Sequence, residues 1–254
     1  WNIKCRQSGL VPDAVVIVAT VRALKMHGGG PLVRPGLPLA SEYTSENLGL
    51  VERGCENLLA HIDIVKASGI RPVVCINRFS TDTPAELDRV RRIADQAGAL
   101  AAESDHWLRG GEGAIDLAEA VVQACQEKHA FRFLYAPDTP LQDRIELIAR
   151  QVYGAAGVTY SDAAATKIRD LDADPRNESL GTCMVKTHLS LSHDPDRKGR
   201  PHGWVLPIRD VLLYQGAGLA VPVAGDINLM PGTASDPAFR RIDVDVETGR
   251  IQGL

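Results

Sequence analysis

Between Ala14 and Gly30 the chain reads AVVIVATVRALKMHGGG, with its polar residues crowded towards one end. Thr20, Arg22, Lys25 and His27 follow an apolar run and lead into Gly28, Gly29 and Gly30. Cationic side chains beside bare glycine backbone suit an anionic ligand such as a phosphate or carboxylate. A basic loop after a buried strand would carry the same residue types, so on types alone both readings stand. A second cluster, Asn77-Arg78-Phe79-Ser80-Thr81-Asp82, sets an aromatic ring in a polar loop. That ring is either a stacking platform for a planar heterocycle or a side chain turned back into the core. Trp107 raises the same question, but its flanks, Asp105-His106 and Gly110-Gly111-Glu112-Gly113, are charged and glycine-rich, which argues for the mouth of a site. A helix opening near Gly113 would also offer free backbone N–H groups to an anion.

Lys186, in Met184-Val185-Lys186-Thr187-His188, is placed either to meet a phosphate or to snorkel outward. His188, His193 and His202 lie near Asp194, but their spacing matches no common zinc pattern and reads as solvated loop histidines. The chain contains no GxxxxGK[ST] and no GxGxxG, so it cannot build a Walker-type phosphate cradle from its own residues. It also lacks a GxSxG elbow and a Cys–His nucleophile signature.

These residues need elements to hold them. Val15-Val16-Ile17-Val18 is an unbroken β-branched run, which predicts a central strand of a parallel sheet covered on both faces. Ligands in such sheets bind beyond the carboxyl ends of the strands. Pro72–Ile76 repeats the strand signature, with a short strand expected around Ala99–Ala102 and a further one at Phe131–Tyr135. Leu48, Val51, Cys55, Leu58, Ile62 and Val65 recur at helical spacing and predict a helix from Ser45 to about Ser68, ended by Gly69. Thr83-Pro84-Ala85-Glu86 is a capping box that opens a helix to about Ala97. Ala114–Gln126 reads as a helix with Ile115, Leu117, Ala118, Val121, Val122 and Cys125 inward, and Thr139-Pro140-Leu141-Gln142 as a second capping box. Strands alternating with helices give an α/β core, a parallel sheet with flanking helices, over residues 1–154. Past Gly154, a helix over Asp162–Leu171 and strands at Thr182–Lys186, Trp204–Ile208, Leu219–Val223 and Ile242–Val246 suggest a smaller α+β lobe over 155–254.

Composition narrows the class. A 254-residue chain that is 44% hydrophobic has material for real cores. A formal charge of −4 gives no electrostatic reason to expect nucleic acid or an anionic membrane. No apolar run is long enough to span a bilayer, and the opening Trp1–Arg6 has no signal-peptide plan. Five scattered cysteines without a CxxC pair fit reduced, mostly buried thiols and a cytoplasmic protein.

Taken together the stretches resemble the formate–tetrahydrofolate ligase family. The residues that carry the likeness are Ile3–Arg6, Val18–Gly29, Asn77 with Phe79 and Thr81–Thr83, Trp107 with Gly110–Gly113, Tyr153–Ala155, Lys186–Ser192, Gly216–Gly218 and Met230-Pro231-Gly232. The resemblance implies a ligase of one-carbon metabolism that couples ATP to formate and tetrahydrofolate through formyl phosphate, and a homotetramer. It implies ATP with Mg2+, bound mainly by an N-terminal half not present in these residues, and a monovalent cation as a further expectation. It implies a P-loop NTPase-like core lacking that half. By resemblance Phe79 and Trp107 sandwich the pterin ring, with Thr81 and Asp82 beside it. Arg22, Lys25 and Lys186 become candidate catalytic residues at the formyl-phosphate site. Thr20, His27, Gly28, Gly29, Gly110, Gly111 and Gly113 become candidate nucleotide-binding residues. The chain departs from the family pattern at Glu103, at Leu180-Gly181 and at Thr233-Ala234. A folate- or nucleotide-binding module that needs a separate P-loop-bearing partner is the alternative.

Overall fold

A computed structural model describes residues 1–34, 36–225, 235–237 and 240–253. Met230-Pro231-Gly232 and Thr233-Ala234 lie outside the described residues. The first sheet has three parallel strands, β1 (Val15–Ala19), β2 (Pro72–Asn77) and β3 (Leu100–Ser104), in that order. A short helix α1 (Lys4–Ser8) precedes them, and α2 (Val21–His27), α3 (Ser41–Thr44) and α4 (Leu48–Ala67) connect β1 to β2. Helix α5 (Pro84–Gln96) joins β2 to β3, and α6 (His106–Arg109) and α7 (Ile115–Gln126) follow.

Local chemistry explains these elements. Asn47 Oδ1 accepts the Leu50 N–H at 3.0 Å and starts α4, whose Val51, Cys55, Leu58, Ile62 and Val65 are buried as their spacing required. Gly69, at φ +85, ends that helix. The Thr83 box forms in full: Thr83 Oγ1 accepts the Glu86 N–H and Glu86 accepts the Thr83 N–H. Ile17, Ala19, Val74, Ile76 and Ala101 share a core with the inward faces of α2, α4 and α5.

Among the described residues the strand at Val15–Val18 lies at the side of its sheet, not at its centre. β2 is the middle strand, buried along nearly all its length, whereas β1 pairs with β2 alone among the described residues. Side chains alternate between faces of a strand. Ile17 and Ala19 therefore meet α2 and α4, while Val16 and Val18 face the other way, and Val18 is 64% exposed. On that second face α7 packs mainly over β3 and β2. Helix α7 is correspondingly two-faced. Ala124 is buried and Leu117, Ala120 and Val121 are half-buried, but Ile115, Ala118, Val122 and Cys125, expected inward, form an exposed apolar stripe.

Three further expectations change. The segment after β1 is a helix, not a loop: Thr20 Oγ1 accepts the Ala23 N–H at 3.1 Å and Val21–His27 winds behind it. Phe131–Tyr135 is not a strand, because other partners take its backbone. The Arg132 N–H donates to the Ser68 carbonyl, the Leu134 N–H donates to Asn2 Oδ1, and Arg6 reaches the Tyr135 carbonyl. Thr139 does not cap the helix after it. The N–H of Leu141, first residue of α8 (Leu141–Leu147), goes instead to Asp172 Oδ1 at 2.7 Å, and the helix widens into a π turn over Ile148–Val152.

The C-terminal residues build a second sheet in the order β4 (Gly157–Tyr160), β6 (Val205–Tyr214), β7 (Leu219–Ala224), β5 (Gly181–Thr182). β4 is parallel to β6, β6 antiparallel to β7, and β7 parallel to β5. The strand expected at Thr182–Lys186 shortens to Gly181–Thr182, with one isolated bridge from Val185 to Val223. Helices α8 and α9 (Asp162–Asp172) close its core around Leu206, Ile208 and Trp204. Ile242–Val246 keeps only β8 (Asp243–Val244), paired with β9 (Ile251–Gln252). No described helix is long and apolar enough to cross a membrane.

Helices α2 and α4 cross closely at Gly28 and Gly54. A Cβ on Gly28 would overlap the Leu50 carbonyl oxygen, and one on Gly54 would overlap that of Leu24. Gly54→Ala is therefore expected to destabilise the protein by about 1–3 kcal/mol in urea unfolding, since backbone must move. An unchanged midpoint would mean the helices separate freely.

Candidate functional site

The carboxyl ends of β2 and β3 frame a cleft of about 440 Å³ lined by Asn77, Arg78, Phe79, Ser80, His106, Trp107 and Leu108. The Arg78 N–H donates to the Ser104 carbonyl at 3.0 Å and ties the two strand ends together. Beyond β2 the chain turns tightly. Asp82 Oδ2 accepts the Phe79 N–H at 2.8 Å and the Asp82 N–H returns to the Phe79 carbonyl at 3.0 Å. Burial pushes the Asp82 carboxyl above its ordinary value, against the opposing pull of that hydrogen bond and of the Arg22 charge. Asp82 Oδ1 and Arg22 Nε are buried with no hydrogen-bond partner among the described residues.

The turn presents Phe79 at 36% exposure, with one face already occupied. Arg22, from the first turn of α2, stacks its guanidinium 4.3 Å from the ring centroid and donates from Nη2 to Thr81 Oγ1 at 3.3 Å. Opposite, Trp107 is 87% exposed and packs on nothing that would hide a core residue. Its helix is seated by the Asp105 N–H, which donates to the Gly113 carbonyl at 2.8 Å, and His106 Nδ1 lies 2.9 Å from Ser104 Oγ. A ring in two-sided contact with water beside a half-exposed Phe is the arrangement that stacks a planar ligand. His106 and Leu108 had no signal of their own in the sequence beyond their place beside Trp107. Glu103 stays out of the cleft, paired with Arg91 of α5.

Other candidates lie elsewhere. Lys25 is fully buried, its amine 2.7 Å from Glu86 Oε1 and donating to the Ser45 carbonyl at 2.8 Å, so it holds α2 against α5 and the start of α4. Gly28 serves the α2–α4 crossing. His27 Nδ1 accepts the Gly199 N–H at 3.1 Å, and Gly29 is exposed at φ +98. Lys186 donates to the carbonyls of Thr187, Ser190 and Ser192 and sits 4.7 Å from the Tyr153 ring centroid; burial lowers its amine to about 8. Lys186 and His27 line a different cleft from Phe79 and Trp107. Gly110 and Gly111 lie open on the turn after α6, where a Cβ would meet nothing, while Gly113 packs against Asp105. The nucleotide set is thus divided between the two ends of α2 and the turn after α6.

Among the described residues no three or more His, Cys, Asp or Glu side chains gather as a metal site. Cys55 and Cys75 are buried, Cys125 is exposed, and burial pushes the Cys55 thiol up to about 12. Iodoacetamide at pH 8 should label Cys125 in the native protein and leave Cys55 unmodified until denaturant is added, as read by mass spectrometry.

These observations define an α/β protein with a ligand cleft at the carboxyl edge of a parallel sheet, walled by two accessible aromatics. A family model for formate–tetrahydrofolate ligase matches residues 1–254, and the chain belongs to that family. It is 61% identical over 254 residues to the formate–tetrahydrofolate ligase of Desulfotalea psychrophila, 63% to that of Dehalococcoides mccartyi strain 195 and 59% to that of Desulfovibrio desulfuricans. All of this chain is covered in each case, but only 46%, 42% and 43% of those relatives. The chain spans less than half the length of the curated relatives it matches.

Proposed function

We propose that these residues are the folate-facing C-terminal part of an ATP-dependent formate–tetrahydrofolate ligase. In this reaction formate attacks the γ-phosphate of ATP, releasing ADP and forming formyl phosphate. N10 of tetrahydrofolate then attacks the formyl carbon and inorganic phosphate leaves, giving 10-formyltetrahydrofolate. The observation that carries the reading is the pair of accessible aromatics, Phe79 and Trp107, on one cleft. The pterin stacks between them, with Thr81 and Asp82 holding the turn that aims Phe79. Fixing a planar ring so that its amine meets a short-lived acyl phosphate supplies proximity, the main need of such a transfer. Arg22 lies behind Phe79 and braces that ring, and Arg22, Thr20, Gly110 and Gly111 remain the candidates for the formyl-phosphate and nucleotide side. Lys25 and Gly28 pack α2 against its neighbours, and Lys186 and His27 line a cleft of their own.

In this proposal residues 1–154 are the C-terminal half of a P-loop NTPase-like core and 155–254 a smaller lobe. ATP with Mg2+ is held mainly by chain outside these residues, a monovalent cation is a further ligand, and the assembly is a cytoplasmic homotetramer. The test is ATP-, formate- and tetrahydrofolate-dependent product formation by the 254-residue polypeptide: none is expected, and robust turnover overturns the view that it is one part of the catalyst.

One feature favours a second reading, a binding module completed by a separate chain. The free edge of β1, its bare Val16 and Val18, and the Ile115–Ala118–Val122–Cys125 stripe form an apolar surface suited to an added strand and helix. Supplied with a P-loop-bearing chain in trans, the polypeptide should gain turnover and Cys125 should alkylate at least several-fold more slowly. Gain of neither would leave the module reading without support.

A further inference from the structure

A second concavity, of about 300 Å³, opens where α2 and α4 meet the chain around Lys186, and the formyl-transfer reading makes no use of it. Its lining carries the imidazoles of His27, His61 and His188, the Asn57 amide and the Lys186 amine, and no carboxylate. We propose that this cleft is a binding site for a phosphoryl group, separate from the Phe79–Trp107 cleft.

The donors follow from the hydrogen bonds already made. His27 Nδ1 accepts the Gly199 N–H at 3.1 Å, so the proton of its neutral ring is on Nε2, which is left to donate. Asn57 Nδ2 donates to the Gly199 carbonyl at 3.0 Å, so Gly199 fixes both side chains at the rim. Thr187 Oγ1 accepts the Leu189 N–H at 3.2 Å and keeps its own hydroxyl hydrogen. Lys186 spends its three protons on carbonyl oxygens and contributes charge, not a hydrogen bond. Donors therefore come from α2, α4 and the Thr187–His188 segment, a three-sided arrangement that matches a tetrahedral group with three acceptor oxygens better than a flat carboxylate.

The cations here lack a counter-charge. His27 is held below its ordinary 6.5 by burial, then by Lys198 and His61; His61 is held down by burial, then by Lys186. The carboxylate two residues beyond His61, Asp63, is bonded to Arg200 at 2.8 Å, and Asp194 on the facing loop pairs with Arg197. A phosphoryl anion in the cleft would relieve that mutual repulsion and raise both imidazoles towards protonation.

The experiment titrates the whole 254-residue chain with inorganic phosphate, and separately with methyl phosphate, at ionic strength held constant with chloride. Imidazole resonances are followed by NMR. Saturable shifts are expected for His27, His61 and His188 but not for His106 or His202, with tighter binding at pH 6 than at pH 8. His61→Gln with His188→Gln, each keeping a side chain that donates, should weaken binding at least about tenfold without changing the melting temperature in chloride. If that pair fails to fold, His188→Gln alone is read the same way. Tighter binding of methyl phosphate identifies the phosphoryl end of a larger molecule; equal binding identifies the free ion. Shifts shared by every histidine, shifts reproduced by chloride, or unchanged affinity in the variant overturn the site. Folate affinity is measured in parallel; it stays constant in the variant, so failure here and failure of the folate reading are distinguishable.

Discussion

Lys25→Met should lower the unfolding free energy by about 3–5 kcal/mol, more than is expected at the glycine crossing. Both members of the pair are fully buried, with the amine 2.7 Å from Glu86 Oε1. Removing the cation strands a carboxylate that still accepts the Asn47 N–H at 2.7 Å and the Thr83 N–H at 3.2 Å. Glu86→Gln in the Lys25→Met background removes that stranded charge and keeps an oxygen for a backbone donor. The double variant should therefore be more stable than Lys25→Met alone, and a purely additive pair in urea unfolding would sink the assignment. The pair also sets a pH dependence. Burial raises the Glu86 carboxyl, but hydrogen bonds from Lys25, Asn47 and Thr83 and the Lys25 charge bring it net below its ordinary 4.5. The unfolded chain then binds more protons in acid. The contribution of Glu86 to stability is complete above about pH 4.5 and is lost as pH falls through the lower folded value. Glu86→Gln should flatten that acid limb of the unfolding midpoint between pH 5 and pH 3. Because α5 begins directly after the Phe79–Asp82 turn, this pair also anchors one wall of the cleft.

The second large effect is on binding. Trp107→Ala and Phe79→Ala should each weaken tetrahydrofolate binding by about 5–150-fold, the range set by about 1–3 kcal/mol per stacked heterocycle. Trp107 is exposed in the free protein, so its fluorescence reports the titration directly, and the Phe79 variant is read with that same signal. Trp107→Phe should recover most of the loss, since it restores a ring face, while Trp107→Leu should not. Full affinity in both alanine variants would remove stacking from the proposal. Arg22→Ala should act more weakly, because Phe79 would lose the cation on its far face but keep the Asp82 hydrogen bond that closes its turn.

Much of the framework was legible from local pattern. The Thr83 box, the apolar spacing of α4 and the β-branched run of β2 each declare themselves within a few residues, because helix caps and side-chain periodicity are short-range chemistry. For the aromatics of the cleft the residue types left stacking and core both open; the family resemblance set them on a ligand, and the fold leaves both rings accessible on one cleft. What misled were features whose meaning depends on a distant partner. Thr139 resembles a cap, but Asp172 reaches the Leu141 N–H first. Phe131–Tyr135 has strand composition, but the N-terminal segment and the end of α4 take its hydrogen bonds. Lys25 and Lys186 look alike in sequence as cations near glycines or hydroxyls, yet one is buried against Glu86 and the other is caged by carbonyls beside Tyr153.

By itself, the sequence determined the α/β alternation, the helix starts with true caps and the family. Only the tertiary structure decided that β1 is an edge, that α7 keeps a second apolar face bare, and that the cations of the Arg22–Gly29 stretch serve three different ends. The reason is geometric. Val21–His27 is a helix, so Arg22, Lys25 and His27 point around its circumference to Phe79, Glu86 and Gly199, contacts separated from them by tens of residues or more along the chain.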